Sequence, residues 1–153
     1  MASELYFYDT FYQLQWVGLN LDTASIRAAL LTSDYTFDAA HANYAAVLAS
    51  GVDLELATGN GYTQGGALIG NTAVNVNASP RMTVLTGDNV TWSALTATFR
   101  WALYYVDGVN AGVTDPVLAC VLLDNTPANI VVSGVDYMLL HSTYGIFTSG
   151  ECA

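Results

Sequence analysis

Residues Asp88–Asp107, DNVTWSALTATFRWALYYVD, carry the longest run of period-two alternation in the chain. In an extended strand Ala97, Phe99, Trp101, Leu103 and Tyr105 share one side, and Thr96, Thr98, Arg100, Ala102 and Tyr104 share the other, because successive side chains point to opposite faces. The first face is wholly apolar and aromatic, which marks it for a packed core. The second is mixed, with one cation in mid-strand. Threonine and tyrosine suit a pleated surface better than a helix. Asp88-Asn89 reads as a turn, and Val90, Trp92 and Leu95 open another extended run. The spacing therefore predicts a hairpin-like pair near the centre of a sheet.

Working outward, most of the chain after residue 53 reads as strand and turn. Asp53 to Ala57, Ala67 to Val76, Arg81 to Leu85, Val117 to Leu123 and Ile130 to Leu140 are the extended runs. Gly59-Asn60-Gly61, Gly65-Gly66, Gly87, Asp107-Gly108, Pro116 and Asp124-Asn125 punctuate them. Val117 to Leu123 is apolar on both faces, as a fully buried strand would be. Gly134 marks a bulge between Val132 and Val135. Before residue 53, Ile26, Ala28 and Leu30 alternate as a strand. Phe37 and Asp38 then supply the start of a helix that carries Ala40, Tyr44, Val47 and Leu48 and stops at Ser50-Gly51. At the N-terminus Glu4 to Tyr8 reads as a short extended arm. Asp9 or Thr10 caps a brief helix with Phe11, Leu14 and Val17 at helical spacing, closed by Gly18, and leaves Trp16 pointing away. The expected architecture is mainly β, a β-sandwich or flattened barrel with one or two short helices in the N-terminal third. An arm and short helix over residues 1–18 precede a single β-rich domain over residues 19–153.

Composition narrows the function. At 153 residues the chain is one domain, long enough for a proper core. Hydrophobic residues make up 53% and charged residues 10%, well under the usual quarter. Thirteen acidic residues stand against three arginines and no lysine, a formal charge of −10. That field repels phosphate backbones and anionic lipid, which argues against nucleic-acid and membrane-surface binding. The missing lysine removes Walker, Schiff-base and serine–lysine chemistry. No basic region followed by an apolar run marks a signal peptide. So little ionic coating favours a protein whose surface is covered by neighbours.

Candidate chemistry is sparse. His41 and His141 lack the spacing of a metal site, so no metal is expected. Asp53 and Glu55, two residues apart on a predicted strand, would present carboxylates on one face about 7 Å apart, within reach of paired-carboxylate glycoside hydrolysis. A solvated acidic face is the simpler expectation. The glycine-rich run Gly59–Gly66 lacks the lysine of a phosphate loop and precedes a β-like segment, so its glycines are expected to serve tight turns. Arg100 is expected to be structurally paired. Cys120 reads as a buried thiol and Cys152 as a tail thiol. No catalytic constellation emerges.

Three blocks together resemble a family. They are Ala28-Ala29-Leu30-Leu31-Thr32-Ser33-x-Tyr35-x-Phe37-Asp38-x-x-His41-x-x-Tyr44, then Gly61-Tyr62-Thr63-x-Gly65-Gly66-x-x-Ile69, then Val90-x-Trp92-x-x-Leu95-x-Ala97-x-x-Arg100-x-Ala102-x-x-Tyr105. In this order and spacing they resemble small tailed-phage virion proteins, the minor structural or capsid decoration (cement) proteins, over about residues 20 to 150. The resemblance implies a structural role, no enzyme activity and no cofactor. Its first form is a decoration protein on the capsid surface that is made in the host cytoplasm. There it would bind the major capsid protein and copies of itself as a homo-oligomer, a trimer among the options. The alternative is a neck or tail protein of the same virion, and a carbohydrate-binding β-sandwich using Asp53 and Glu55 is the reading from another class. Leu5, Tyr6, Phe7, Tyr8 and Trp16 are the expected partner contacts, since aromatic residues are enriched at interfaces.

Overall fold

The computed structural model describes residues 3–78, 81–126, 128–142 and 145–150, with residues 77, 78, 81, 149 and 150 described as backbone only. The element order is β1 (Glu4–Phe7), α1 (Asp9–Val17), β2 (Ile26–Leu31), α2 (Tyr44–Ala49), β3 (Ala67–Leu68), β4 (Ala73–Ala78), β5 (Arg81–Thr86), β6 (Val90–Phe99), β7 (Trp101–Val106), β8 (Val109–Asn110), β9 (Val113–Thr114), β10 (Val117–Leu122), β11 (Ile130–Leu139) and β12 (Phe147–Gly150). The fold is mainly β and sandwich-like, without a closed barrel among the described residues.

A five-stranded antiparallel sheet in the order β1-β10-β7-β2-β3 forms the middle layer. Against one face lie the β6–β11 ribbon and the three-stranded sheet β12-β5-β4. Ile26, Ala28, Leu30, Ala102, Tyr104 and Leu118 meet Trp92, Leu95, Phe99, Leu85 and Phe147 there, in one contiguous core. The opposite face of the middle sheet is also buried. Ala29, Leu31, Leu103, Tyr105, Val117 and Cys120 pack beneath Tyr8, Tyr35, Val47 and Leu54, which come from connecting segments and α2. Burial on both faces explains why Val117–Leu122 carries no polar alternation.

The long alternating run is split. β6 ends at Phe99 and β7 begins at Trp101, and the two belong to different sheets instead of forming a hairpin. At the corner the Arg100 N–H donates to the Leu31 carbonyl (2.9 Å) and its own carbonyl accepts from the Leu123 N–H (3.0 Å). The bend reverses the side-chain parity. Phe99 faces the sandwich core together with Ala102 and Tyr104, whereas Trp101, Leu103 and Tyr105 face the other cluster. The face read as mixed is therefore core as well. Strands that switch sheets make corners in this way.

Other expectations shift locally. Ala67 to Val76 is two short strands, and Asp53 to Ala57 contributes only an isolated bridge between Leu31 and Glu55. α2 starts at Tyr44, not near Asp38, because Asn43 is the N-cap and its side chain accepts from the Ala46 N–H (2.8 Å). Asp38 instead makes a local turn to the Ala40 N–H (3.0 Å). The Gly134 bulge is present, with φ +65° and shifts in the β6–β11 register around Val135. β1 is no free arm. It pairs with β10 from Glu4↔Leu122 to Phe7↔Ala119, as the edge strand of the middle sheet.

Candidate interaction surface

α1 positions the most exposed aromatic residue among the described residues. Asp9 sits in its first turn, where a carboxylate favours the helix dipole. Gly18 closes it in the left-handed region at φ +105°, its N–H donating to the Leu14 carbonyl. Nine residues cannot hold a helix by propensity alone, so burial of Phe11 and Leu14 docks it. Trp16, on the outer side, is 91% exposed, with Tyr12 at 52% and Val17 at 66%.

The five predicted contact residues do not form one surface. Strand alternation divides β1: Leu5 remains 43% exposed, while Phe7 stacks on Phe11 (5.0 Å) and meets Phe147 edge-on (5.4 Å). Tyr6 lies against Phe37 and Trp101 on the other side. Tyr8 must be removed from the set. It is fully buried, and its hydroxyl lies 2.6 Å from that of Tyr35. Burial drives the Tyr8 phenol pKa far up and that of Tyr35 to about 12. Trp16 is placed as expected, and a groove that the sequence does not announce lies beside its helix. Between α1 and β12-β5-β4 an opening of about 100 Å³ is walled by Phe7, Phe11, Leu21, Val74, Leu85 and Phe147, with Gln15 at its lip. Phe11 and Gln15 share a helical stripe that the sequence does show, but its far wall comes from strands more than fifty residues away.

The polar features are occupied structurally. Asp53 is exposed with φ +51°, whereas Glu55 is only 4% exposed, so the two carboxylates share no face. The paired-carboxylate expectation fails for that reason. Glu55 accepts from the Tyr62 hydroxyl (2.7 Å), the Gly65 N–H (2.7 Å) and the Tyr44 hydroxyl. Tyr62 also accepts from the Leu30 N–H (3.0 Å), and Tyr44 stacks on Tyr105 at 4.4 Å. Burial raises the Tyr44 and Tyr62 phenols well above their ordinary value, with the Glu55 charge adding to the effect. The glycine-rich run packs backbone to backbone here. A Cβ on Gly66 (φ +71°) would sit 2.1 Å from the Ala28 carbonyl oxygen, which excludes a phosphate cradle in favour of a tight turn.

Arg27 pairs with Asp107 (2.6 Å) and donates to the Gly66 carbonyl (3.0 Å), and Arg100 donates to Asn129 (2.9 Å). His141 Nδ1 lies 2.8 Å from the Asp88 carbonyl, which can only accept, so Nδ1 carries the proton. Its Nε2 then accepts from the Tyr104 hydroxyl at 3.1 Å. Burial lowers the His141 pKa below its ordinary value. Cys120 is a buried free thiol whose pKa burial raises; Cys152 lies outside the described residues. No group of three or more His, Cys, Asp or Glu among the described residues is arranged to hold a metal ion. No described helix is long and apolar enough to cross a membrane. No protein-family model, curated protein or solved structure matches the chain.

Proposed function

We propose that this chain is a structural component of a bacteriophage virion. In this role it is a capsid decoration protein that sits on the outer surface and binds the major capsid protein lattice and copies of itself. The observation that carries the reading is Trp16. A side chain of this size standing 91% exposed, in a chain with 10% charged residues, fits a contact residue waiting for a partner. Apolar burial contributes about 25 cal/mol per Å² before association costs are subtracted. Repetition over a closed shell then turns modest contacts into avidity. Leu5 joins Trp16 in the proposed contact set; Phe7 packs against Phe11 and Tyr12 of the helix that carries Trp16, and Tyr6 lies on the other side of β1.

Counting copies in purified particles tests the reading. The decoration role predicts on the order of hundreds per particle, whereas a neck or tail position predicts a ring of about six or twelve. Absence from particles would end both. Removing residues before Asp9 is not a clean test of attachment, because it deletes an edge strand and the core residue Tyr8. Trp16→Ala and Leu5→Ser are the informative changes: both are expected to lower occupancy on the particle and leave the isolated fold intact.

A further inference from the structure

We propose that the groove between α1 and β12-β5-β4, with Trp16 beside it, takes a basic segment of a neighbouring protein that inserts one aliphatic or aromatic side chain and lays an arginine on the Trp16 ring. The inference deepens the proposed role and rests on it for the partner being another virion chain; the chemistry of the groove is tested separately. An opening of about 100 Å³ with walls of Phe7, Phe11 and Phe147 has room for one apolar side chain. On α1, Phe11 and Gln15 line the groove, and the stripe one residue on, Tyr12 and Trp16, stands about 100° further round the helix. The Tyr12 ring lies 5.8 Å from that of Phe7, so the two stripes form one continuous surface.

Charge decides the occupant. Asp9 precedes Tyr12 by three residues and Trp16 by seven, which places it on the same helical face. Asp22 accepts from the backbone N–H of Val74, a residue of the groove wall (3.1 Å), so a second carboxylate lies beside that wall. The two described guanidinium groups lie elsewhere, Arg27 on Asp107 and Arg100 on Asn129. A mostly apolar slot, lined also by Gln15, Thr83 and Thr148, with one carboxylate on the adjoining helix face and another beside its wall, next to an exposed indole, favours a guanidinium. A second copy of this chain, itself at −10, would add like charge instead of cations.

The emission of Trp16 reads the site, because Trp92 is buried and Trp101 is partly buried. The full chain is titrated with three short capped peptides: one leucine flanked by arginines, the same leucine flanked by glutamates, and the arginine peptide with alanine in place of leucine. The arginine–leucine peptide is expected to shield Trp16 from acrylamide at millimolar concentration, with protection weakening as salt rises. The other two are expected to shield it far less. The double change Asp9→Asn and Asp22→Asn keeps the hydrogen-bonding oxygens and is expected to weaken binding about two- to tenfold. Gln15→Phe, which fills the lip from an exposed position without adding a second exposed indole, is expected to abolish it. Equal shielding by the glutamate peptide, or none by the arginine–leucine peptide, overturns the proposal. So does protection that grows with protein concentration alone, since the occupant is then a second copy. Failure here with high copy number in particles leaves the virion role standing; the reverse result separates the two the other way.

Discussion

The two faces of the middle sheet are buried by different means. Toward the sandwich, Ile26, Leu30, Ala102 and Leu118 meet Leu95, Phe99 and Leu85, an interface that is apolar apart from a few tyrosine and tryptophan tips. Toward the connecting segments, the sheet is covered by chain with little regular structure besides α2. That layer is pinned by polar anchors: Tyr8 to Tyr35, Tyr44 to Glu55, and the Tyr105 hydroxyl to the Gly65 carbonyl (2.7 Å). Tyr62, whose ring lies in the sandwich core, reaches the same Glu55 from the other side. Sheet against sheet needs only alternation and volume, because each backbone already bonds within its own layer. Loop against sheet brings buried polar groups that must be paired one at a time, at about 1–3 kcal/mol for each left unpaired, and two in this layer, His41 Nδ1 and Trp101 Nε1, are buried without a hydrogen-bond partner.

The sharpest way to break this contrast is to remove one anchor from each side. Phe99→Ala on the sandwich side is expected to cost about 3–5 kcal/mol through lost transfer energy and a cavity, read from urea unfolding. Glu55→Ala on the loop side is expected to cost about 3 kcal/mol, because three donors lose their acceptor. Glu55→Gln keeps an acceptor for some of them and should cost about 1 kcal/mol. If the layers differ as described, Glu55→Ala also increases amide exchange over residues 53–66 ahead of β6 and β7, whereas Phe99→Ala loosens the fold as a whole.

A smaller effect concerns acid. Burial holds the His141 pKa below its ordinary 6.5, so the unfolded chain takes up the proton more readily than the folded one. The stability this histidine contributes is present in full above about pH 6.5 and is lost as pH falls through its lowered folded value. Protonation would also put a hydrogen on the Nε2 that accepts from Tyr104. His141→Gln is expected to flatten part of the decline in unfolding midpoint between neutral and mildly acidic solution. The smallest effect is expected at Trp16, where replacement by alanine should change stability by less than about 0.5 kcal/mol. The same change should reduce incorporation into particles.

Much of the architecture was legible because it rests on period. β2, β5 and β10 lie on the extended runs the sequence marks, and Gly134 announced its bulge. α1 also lies where its Phe11 and Leu14 spacing puts it, but Tyr8 holds the N-cap position instead of Asp9 or Thr10, and Val17 of the expected stripe is 66% exposed. The corner at Arg100 was hidden, since alternation either side of a sheet switch looks like one strand until the parity reversal is seen in three dimensions. The start of α2 was misplaced because Asp38 and Asn43 both offer capping side chains, and only tertiary packing of Val47 selects the second. Glu55 was counted as solvated because its three donors come from Tyr44, Tyr62 and Gly65, spread over a loop without periodicity. Tyr8 was counted as a contact for the same reason: its partner Tyr35 is 27 residues away. Trp16 could be read correctly because exposure on a short helix follows from its neighbours alone.

Hydroxyl-radical labelling of Trp16, compared between the isolated chain and intact particles, tests the central claim most directly. The account predicts rapid oxidation of Trp16 in the free protein and strong protection once the chain is bound in the particle. Equal oxidation in both states, or particles that contain none of the protein, would contradict it.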